Sequence, residues 1–420
     1  MTPTSAAQRA YDEIDLSSRA FWSTTAAERE RSFAVLRAER PVSWQRPGEA
    51  LMKDPDDPGF WAVVRRSDIA EVSARNDVFV SGQGVFFENI PTQYLETTQS
   101  FLAMDPPRHT RLRRLVSAAF TPKQVKRIED QINANAKAIV KELAQVGSGA
   151  DFVSHCAAKL PLRTLSDMVG IPPEHRADVA QLAEALVTAI DPAALAGRDP
   201  LSVMADSTMG LHQIATELAA QRRSAPRDDL MTNLVQAEVD GERLTNEEIG
   251  AFFVLLSVAG NDTTRQTTSH ALRALTVFPA QREWLMADFD RRINPAIEEF
   301  VRWASPVASF RRTAVSDTEL GGQQIAAGDK VVMFYASGNR DPQAFTDPDR
   351  FDLSRDPNPH VAFGGGGVHF CLGNQVAKAQ LRAIFRELLH QLPDIEAGDP
   401  EYLASSFIHG VRAMPCTFTA

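Results

Sequence analysis

At 420 residues the chain is longer than a usual single compact domain, and 44% hydrophobic with 23% charged residues supplies material for a large core. A formal net charge of −10 argues against nucleic acid as the main partner, because phosphate binding needs net or clustered positive charge. Three cysteines (Cys156, Cys371, Cys416) speak against a disulfide framework and for reduced, cytoplasmic thiols. The N-terminus lacks the basic and apolar stretches of a signal peptide, and the longest apolar run, Ala251 to Gly260, is about half a bilayer span. No membrane anchor is expected.

In chain order, two apolar stretches, Phe60 to Val64 and Val78 to Ser81, predict a strand-rich patch, followed by a loop running to about Leu102. Helical patterns then dominate from Pro106 to Val277, punctuated by prolines and glycines. From Pro106 to Arg127 there is no acidic residue, while Arg108, Arg111, Arg113, Arg114, Lys123, Lys126 and Arg127 are basic. Such a run is either a solvated face or a docking surface. Within it, His109 and Arg113 stand at i,i+4 on one helical face.

The region Glu242 to Val277 carries the clearest helix signature: Thr245 and Glu248 have the spacing of a capping box, in which each side chain satisfies a backbone N–H of the other. Ala259, Gly260, Asn261, Asp262, Thr263 and Thr264 follow its apolar run, which predicts a buried, functional kink rather than a poor surface helix. On the Pro295 to Ala304 helix, Glu299 and Arg302 stand at i,i+3, a spacing at which pairs form readily but are usually weak surface bridges. Leu320 to Ala336 reads as β-structure, and the Asp- and Pro-rich stretch from Asp341 to Pro359 as irregular.

Residues 363–373 then run Phe363, four glycines, Val368, His369, Phe370, Cys371, Leu372, Gly373. Four glycines permit positive φ and close approach to a large flat ligand. Leu372, Val376, Ala379 and Ala383 recur at helical steps, so the cysteine sits near a helix N-terminus, where free N–H groups favour a thiolate. A phosphate loop would need a Gly-Lys-Ser/Thr ending, and a zinc site a second ligand at the right spacing; neither is present. The bland alternative is a loop beside a structural cysteine.

This segment resembles the haem-binding signature of the cytochrome P450 superfamily, Phe-Gly-x-Gly-x-His/Arg-x-Cys-x-Gly, with one departure: an extra glycine moves Phe363 one residue further from the cysteine. The resemblance, which is to the soluble bacterial members, extends from about Asp105 to the C-terminus. It implies a mainly α fold with a small β region, a triangular helical prism holding haem b between a long central helix and the cysteine loop. One domain is expected over 1–420, with a β-rich patch near 40–82, a helical bulk near 105–305 and a β and irregular segment with the cysteine loop over 306–420.

It further implies roles. Cys371 is the axial iron ligand, and Phe363, Gly365 and Gly373 of its loop, with Ala259 of the central helix, bind the haem. Asp262 and Thr263 match the acid–alcohol pair of the distal face, where Gly260 opens a groove for dioxygen beside Ala259. His109, Arg113, Arg312 and His369 match propionate partners, with Arg311 an open alternative to Arg312. Glu299, Arg302 and Arg350 match a buried structural triad. Phe86, Phe87, Leu102, Ala259, Val307 and Phe407 are expected to line an apolar substrate pocket.

The expected function is hydroxylation of an unactivated C–H bond with O2 and electrons from a ferredoxin and its NAD(P)H-dependent reductase. An acidic ferredoxin is expected to dock on Arg111, Arg114 and Lys123. A lipid tail, sterol side chain, branched fatty acid or alkane is the favoured substrate, with a terpenoid next. A haem-thiolate peroxygenase or isomerase, which would not need the acid–alcohol pair, and a non-catalytic haem sensor are the rival readings. A monomer is expected, with no reductase domain fused after Cys371.

Overall fold

The computed structural model describes residues 9–49, 54–87, 100–117, 120–189, 195–239 and 241–419. Near the N-terminus, α1 (Ala26–Glu39) starts at a capping box between Thr25 and Glu28. There follow β1 (Val42–Gln45), β2 (Phe60–Val63), α2 (Arg66–Ala74) and β3 (Phe79–Val80). Much later come β4 (Ser309–Ala314) and β5 (Lys330–Phe334), and the five strands form one sheet in the order β1-β2-β5-β4-β3. The β2–β5 pairing is parallel, with Trp61 opposite Val331, and the others are antiparallel.

The two-residue period of a strand sorts this sheet's side chains onto two cores. Trp61 and Val63 of β2 face Val331 and Met333 on one side, while Phe60 and Ala62 join Val332 and Phe334 on the other. The expected β segment 320–336 divides into a short hairpin (Thr318–Leu320 with Gln323–Ile325) and β5, and Tyr335–Gly338 turns helical. Sequence-distant strands therefore tie the two ends of the chain together.

The helical bulk comprises α3 (Arg108–Ser117), α4 (Pro122–Val146), α5 (Lys159–Val169), α6 (Pro173–Thr188), α7 (Pro200–Ser224), α8 (Asn246–Val277), α9 (Phe289–Ala304) and α10 (Asn374–Gln391). The capping box predicted for α8 is formed: Thr245 N–H donates to Glu248 at 3.1 Å and Glu248 N–H to the Thr245 hydroxyl at 3.1 Å. At 32 residues α8 is about 48 Å long and packs on α5, α6, α7, α9 and α10. The largest apolar cluster gathers around it, with Phe252, Phe253, Leu272 and Leu275 on α8 and Phe385 and Leu388 on α10. No helix among the described residues is long and apolar enough to cross a membrane.

Candidate active site

The cysteine loop is built on glycine. Gly364, Gly365, Gly366 and Gly367 all have positive φ, from +70° to +109°. At Gly365 a Cβ would stand 3.0 Å from the Ser73 hydroxyl, and at Gly367 only 1.9 Å from the Ser73 carbonyl oxygen. The loop thus lies directly on α2, at a distance only glycine permits. It closes through Cys371 N–H, which donates to the Phe363 carbonyl at 2.9 Å, so the added glycine is absorbed inside one hydrogen-bonded turn. Gly373 caps α10 just beyond the sulfur, and Val376, Ala379 and Ala383 are buried as the helical period required.

Burial pushes the Cys371 thiol up, while a hydrogen bond from the Gly373 backbone and the charges of Arg113 and Lys378 act in the opposite direction. Among the described residues no group of three or more His, Cys, Asp or Glu side chains could hold a metal ion. A lone thiolate suits an iron whose other ligands come from a macrocycle, and coordination itself removes the thiol proton.

A basic cluster converges from the loop itself, α3 and β4. His109 of α3 is 1% exposed with both ring nitrogens unpartnered, and its ring lies 4.4 Å from that of His369. His369 Nε2 meets the Ser81 hydroxyl at 3.1 Å, and its Nδ1 is buried without a partner. Arg312 of β4 is buried, and Arg113 donates to the Phe370 carbonyl. Burial and the surrounding cations Arg312, His109 and Arg113 push His369 down to about 2; burial, then Arg113, lowers His109. Among the described residues the carboxylate acting on the cluster, Asp105, is already held by the Ser81 and Gly82 N–H groups at 2.8 Å.

A buried set of unmatched cations and unpartnered nitrogens fits a cofactor bearing carboxylates. Haem fits these residues: Cys371 would hold its iron, and His109, Arg113, Arg312 and His369 its propionates. The two neighbouring arginines, Arg311 and Arg312, lie in different surroundings. Strand alternation turns Arg312 toward His109 and His369, whereas Arg311 lies near Gly84 and Lys330 and donates to Thr313.

On α8, Ala259 and Gly260 are exposed within an otherwise largely buried helix, and a Cβ at Gly260 would meet nothing within 4 Å. The helix runs unbroken through 260–264, so the expected kink is not a break in α8. Instead, hydroxyls bond back to carbonyls one turn earlier, Thr263 to Ala259 at 2.9 Å and Thr267 to Thr263 at 2.9 Å.

Asp262 is buried, and desolvation raises its carboxyl above the usual range against the opposing effects of Arg265 and Gln266. Its Oδ1 accepts from Arg265 and, at 3.0 Å, from Gln266, while Oδ2 has no partner. Arg265 also pairs with Glu184 of α6, whose side chain is 47% exposed. A chain of polar groups thus leads from the surface to Asp262. Glu184, Arg265 and Gln266 were not singled out in the sequence, although Arg265 and Gln266 stand at helical neighbour spacing from Asp262.

Of the residues expected to line a substrate pocket, Phe407 packs against Phe86 and also against Phe310, at ring distances of 4.9 and 5.5 Å, and Val307 bridges to Ile408 next to it in the chain. Phe87, expected beside Phe86, is not part of that aromatic group: it is buried against Trp22, Phe60 and Phe334, because successive residues of this stretch face opposite sides. Leu102 lies in a 3-10 turn, half-buried, and residues 88–99 of the expected pocket loop lie outside the described residues.

The Glu299–Arg302 pair is fully buried, as expected, but its third member is Arg355 rather than Arg350. Arg355 Nε donates to Glu299 Oε2 at 3.2 Å. Arg350 has a side chain 64% exposed and contributes only its carbonyl oxygen, which accepts from Arg302 and Arg355.

Comparison with known proteins agrees with this geometry. The Cytochrome P450 family model matches residues 199–393. The methyl-branched lipid omega-hydroxylase of Mycobacterium tuberculosis (strain ATCC 25618 / H37Rv) is 42% identical over 411 residues, covering 97% of this chain and 95% of that protein. The steroid C26-monooxygenase of Rhodococcus jostii is 39% identical over 91% of this chain and 80% of its own. Among solved structures, Mycobacterium marinum cytochrome P450 CYP268A2 in complex with pseudoionone superposes with a TM-score of 0.95 at 66% identity, covering 98% of this chain and 99% of that one. The chain therefore belongs to the cytochrome P450 family of monooxygenases, which bind haem b.

Proposed function

We propose that this protein hydroxylates a methyl-branched, apolar chain near its end, using O2 and two electrons delivered by an acidic ferredoxin. The observation that carries the reading is the aromatic wall of Phe86, Phe310 and Phe407 beside Val307, with Ala259 and Thr263 on the distal helix. Such a wall holds an apolar chain by burial and offers it few hydrogen bonds. The bound haem supplies oxygen activation and C–H cleavage. The chain's own residues exclude water, orient the substrate and move protons. Asp262 offers its unpartnered Oδ2 to a relayed proton, and the Thr263 hydroxyl, which donates to the Ala259 carbonyl, keeps its oxygen lone pairs for a further partner.

The names of the relatives support the branched-chain choice: one is a methyl-branched lipid omega-hydroxylase, another a steroid C26-monooxygenase. A second reading is an acyclic terpenoid, favoured by the pseudoionone bound to the 66% identical relative. Both kinds of molecule present a methyl-branched apolar chain.

The test is an optical titration of the purified ferric protein with branched fatty acids, sterols and acyclic terpenoids, followed by product analysis with a ferredoxin system. Low-to-high-spin conversion by branched lipids, with hydroxylation near the branched end, is the expected result. Conversion by terpenoids alone would select the second reading, and a Soret band that none of these ligands moves would overturn both.

A further inference from the structure

A cluster outside the propionate and distal sites converges on Phe363, the first residue of the cysteine loop. Lys378 lies on α10, seven residues past the sulfur, and its ammonium sits 5.2 Å from the centre of the Phe363 ring. That ammonium pairs with Glu298 of α9, and Glu298 also accepts from His360 Nε2 at 3.0 Å. The His360 ring lies 5.6 Å from Phe363, and its Nδ1 accepts from the Ala362 N–H at 3.3 Å. The side chains of His360 and Lys378 are 5% and 24% exposed, so this charge is only partly screened. Neighbouring Glu299 belongs to the separate buried triad with Arg302 and Arg355.

We propose that Lys378, held by Glu298 and His360, is a positioning residue for the thiolate: it seats Phe363 at the root of the cysteine loop and sets the reduction potential of the bound haem. The inference rests on Cys371 being the axial ligand. Phe363 stands at one end of the loop hydrogen bond to Cys371, and a cation on its ring face is a contact able to hold the ring there. Reduction adds one negative charge to the haem–thiolate unit. A cation two helical turns from the sulfur stabilises that charge, and Glu298 offsets part of the effect.

The experiment measures the midpoint potential of the haem-loaded protein, by spectroelectrochemical titration, in wild type, K378M, K378R and E298Q. K378M removes the cation and leaves Glu298 its negative charge. Its ratio of reduced to oxidised protein at a fixed potential should fall by roughly threefold to tenfold. K378R should restore most of the loss, and E298Q, which removes an anion, should shift the potential upward. An unchanged potential in K378M, or shifts of the same sign in K378M and E298Q, would overturn the proposal. If K378M takes up no haem, E298Q decides alone: a raised potential supports the assignment and an unchanged one removes it. The ligand assignment has its own readout, since a thiolate spectrum persisting in C371S would refute Cys371 whatever the potentials show.

Discussion

Asp262 is held at one oxygen by two neighbours on its own helix, Arg265 and Gln266, and left open at the other. Burial raises its carboxyl, so the protonated form persists to higher pH than for an ordinary aspartate. A raised native pKa means that the neutral carboxyl's contribution to stability is complete at low pH and is lost as pH rises through the native value. In the proposed relay the proton donor is lost over the same range. Asp262→Asn should therefore lower coupled turnover by about 10²-fold and flatten the alkaline limb of its pH profile. An unaltered profile would remove Asp262 from the relay. Thr263→Ala should keep the haem spectrum but divert reducing equivalents to peroxide, read as NAD(P)H consumed per product formed; full coupling in that variant would refute its role. At Gly367 the constraint is steric, because an added Cβ overlaps the Ser73 carbonyl at 1.9 Å. Gly367→Ala should lower haem occupancy severalfold, and normal haem content would show that the loop can move off α2.

At the scale of elements, α8 was legible because its cap and apolar run are local signals, and both ends fall where the residues place them. The cysteine loop was legible because glycines and a cysteine at fixed spacing have few other uses. The third member of the Glu299 triad was not: between Asp341 and Pro359 no periodicity says which arginine turns inward, and the choice fell on Arg350. The chain instead folds back so that Arg355 reaches Glu299 while the Asp352 N–H donates to the same carboxylate at 2.9 Å. Phe87 was misassigned for a related reason, since two adjacent phenylalanines in a loop give no sign of which one faces the core. Removing one partner of a buried ionic network leaves a charge uncompensated. Arg355→Ala should therefore cost about 3–5 kcal/mol in denaturant unfolding, against about 0.5 kcal/mol or less for Arg350→Ala. Equal losses would restore Arg350 to the triad.

For the whole molecule, both pH and surface charge lead to measurements. His270 of α8 donates from Nε2 to the His409 carbonyl at 3.0 Å, and the two rings lie 4.1 Å apart. Burial pushes His270 down to about 4 and His409 well below 6.5. Depressed native values mean stability that is present above 6.5 and lost as pH falls toward about 4, at about 1.4 kcal/mol per pH unit for each proton taken up. His270→Gln should reduce that acid slope by about one proton, and an unchanged slope would place the acid sensitivity elsewhere. The basic run of α3 and α4 divides on folding. Arg111 is bound to Glu242 and Glu248, the latter also the capping residue of α8, whereas Arg114 and Lys123 are exposed with no ion-pair partner among the described residues. A docking charge must be available to the partner, so Arg114 and Lys123 carry the ferredoxin proposal and Arg111 serves the fold. Arg114→Glu should slow reduction by an acidic ferredoxin several-fold at low salt and flatten its dependence on ionic strength, with the haem spectrum intact. Arg111→Glu should instead lower the melting temperature, because it sets a third carboxylate against Glu242 and Glu248. Stopped-flow reduction across a salt series separates the two: a normal rate and salt slope in Arg114→Glu would move the electron-transfer contact away from this face.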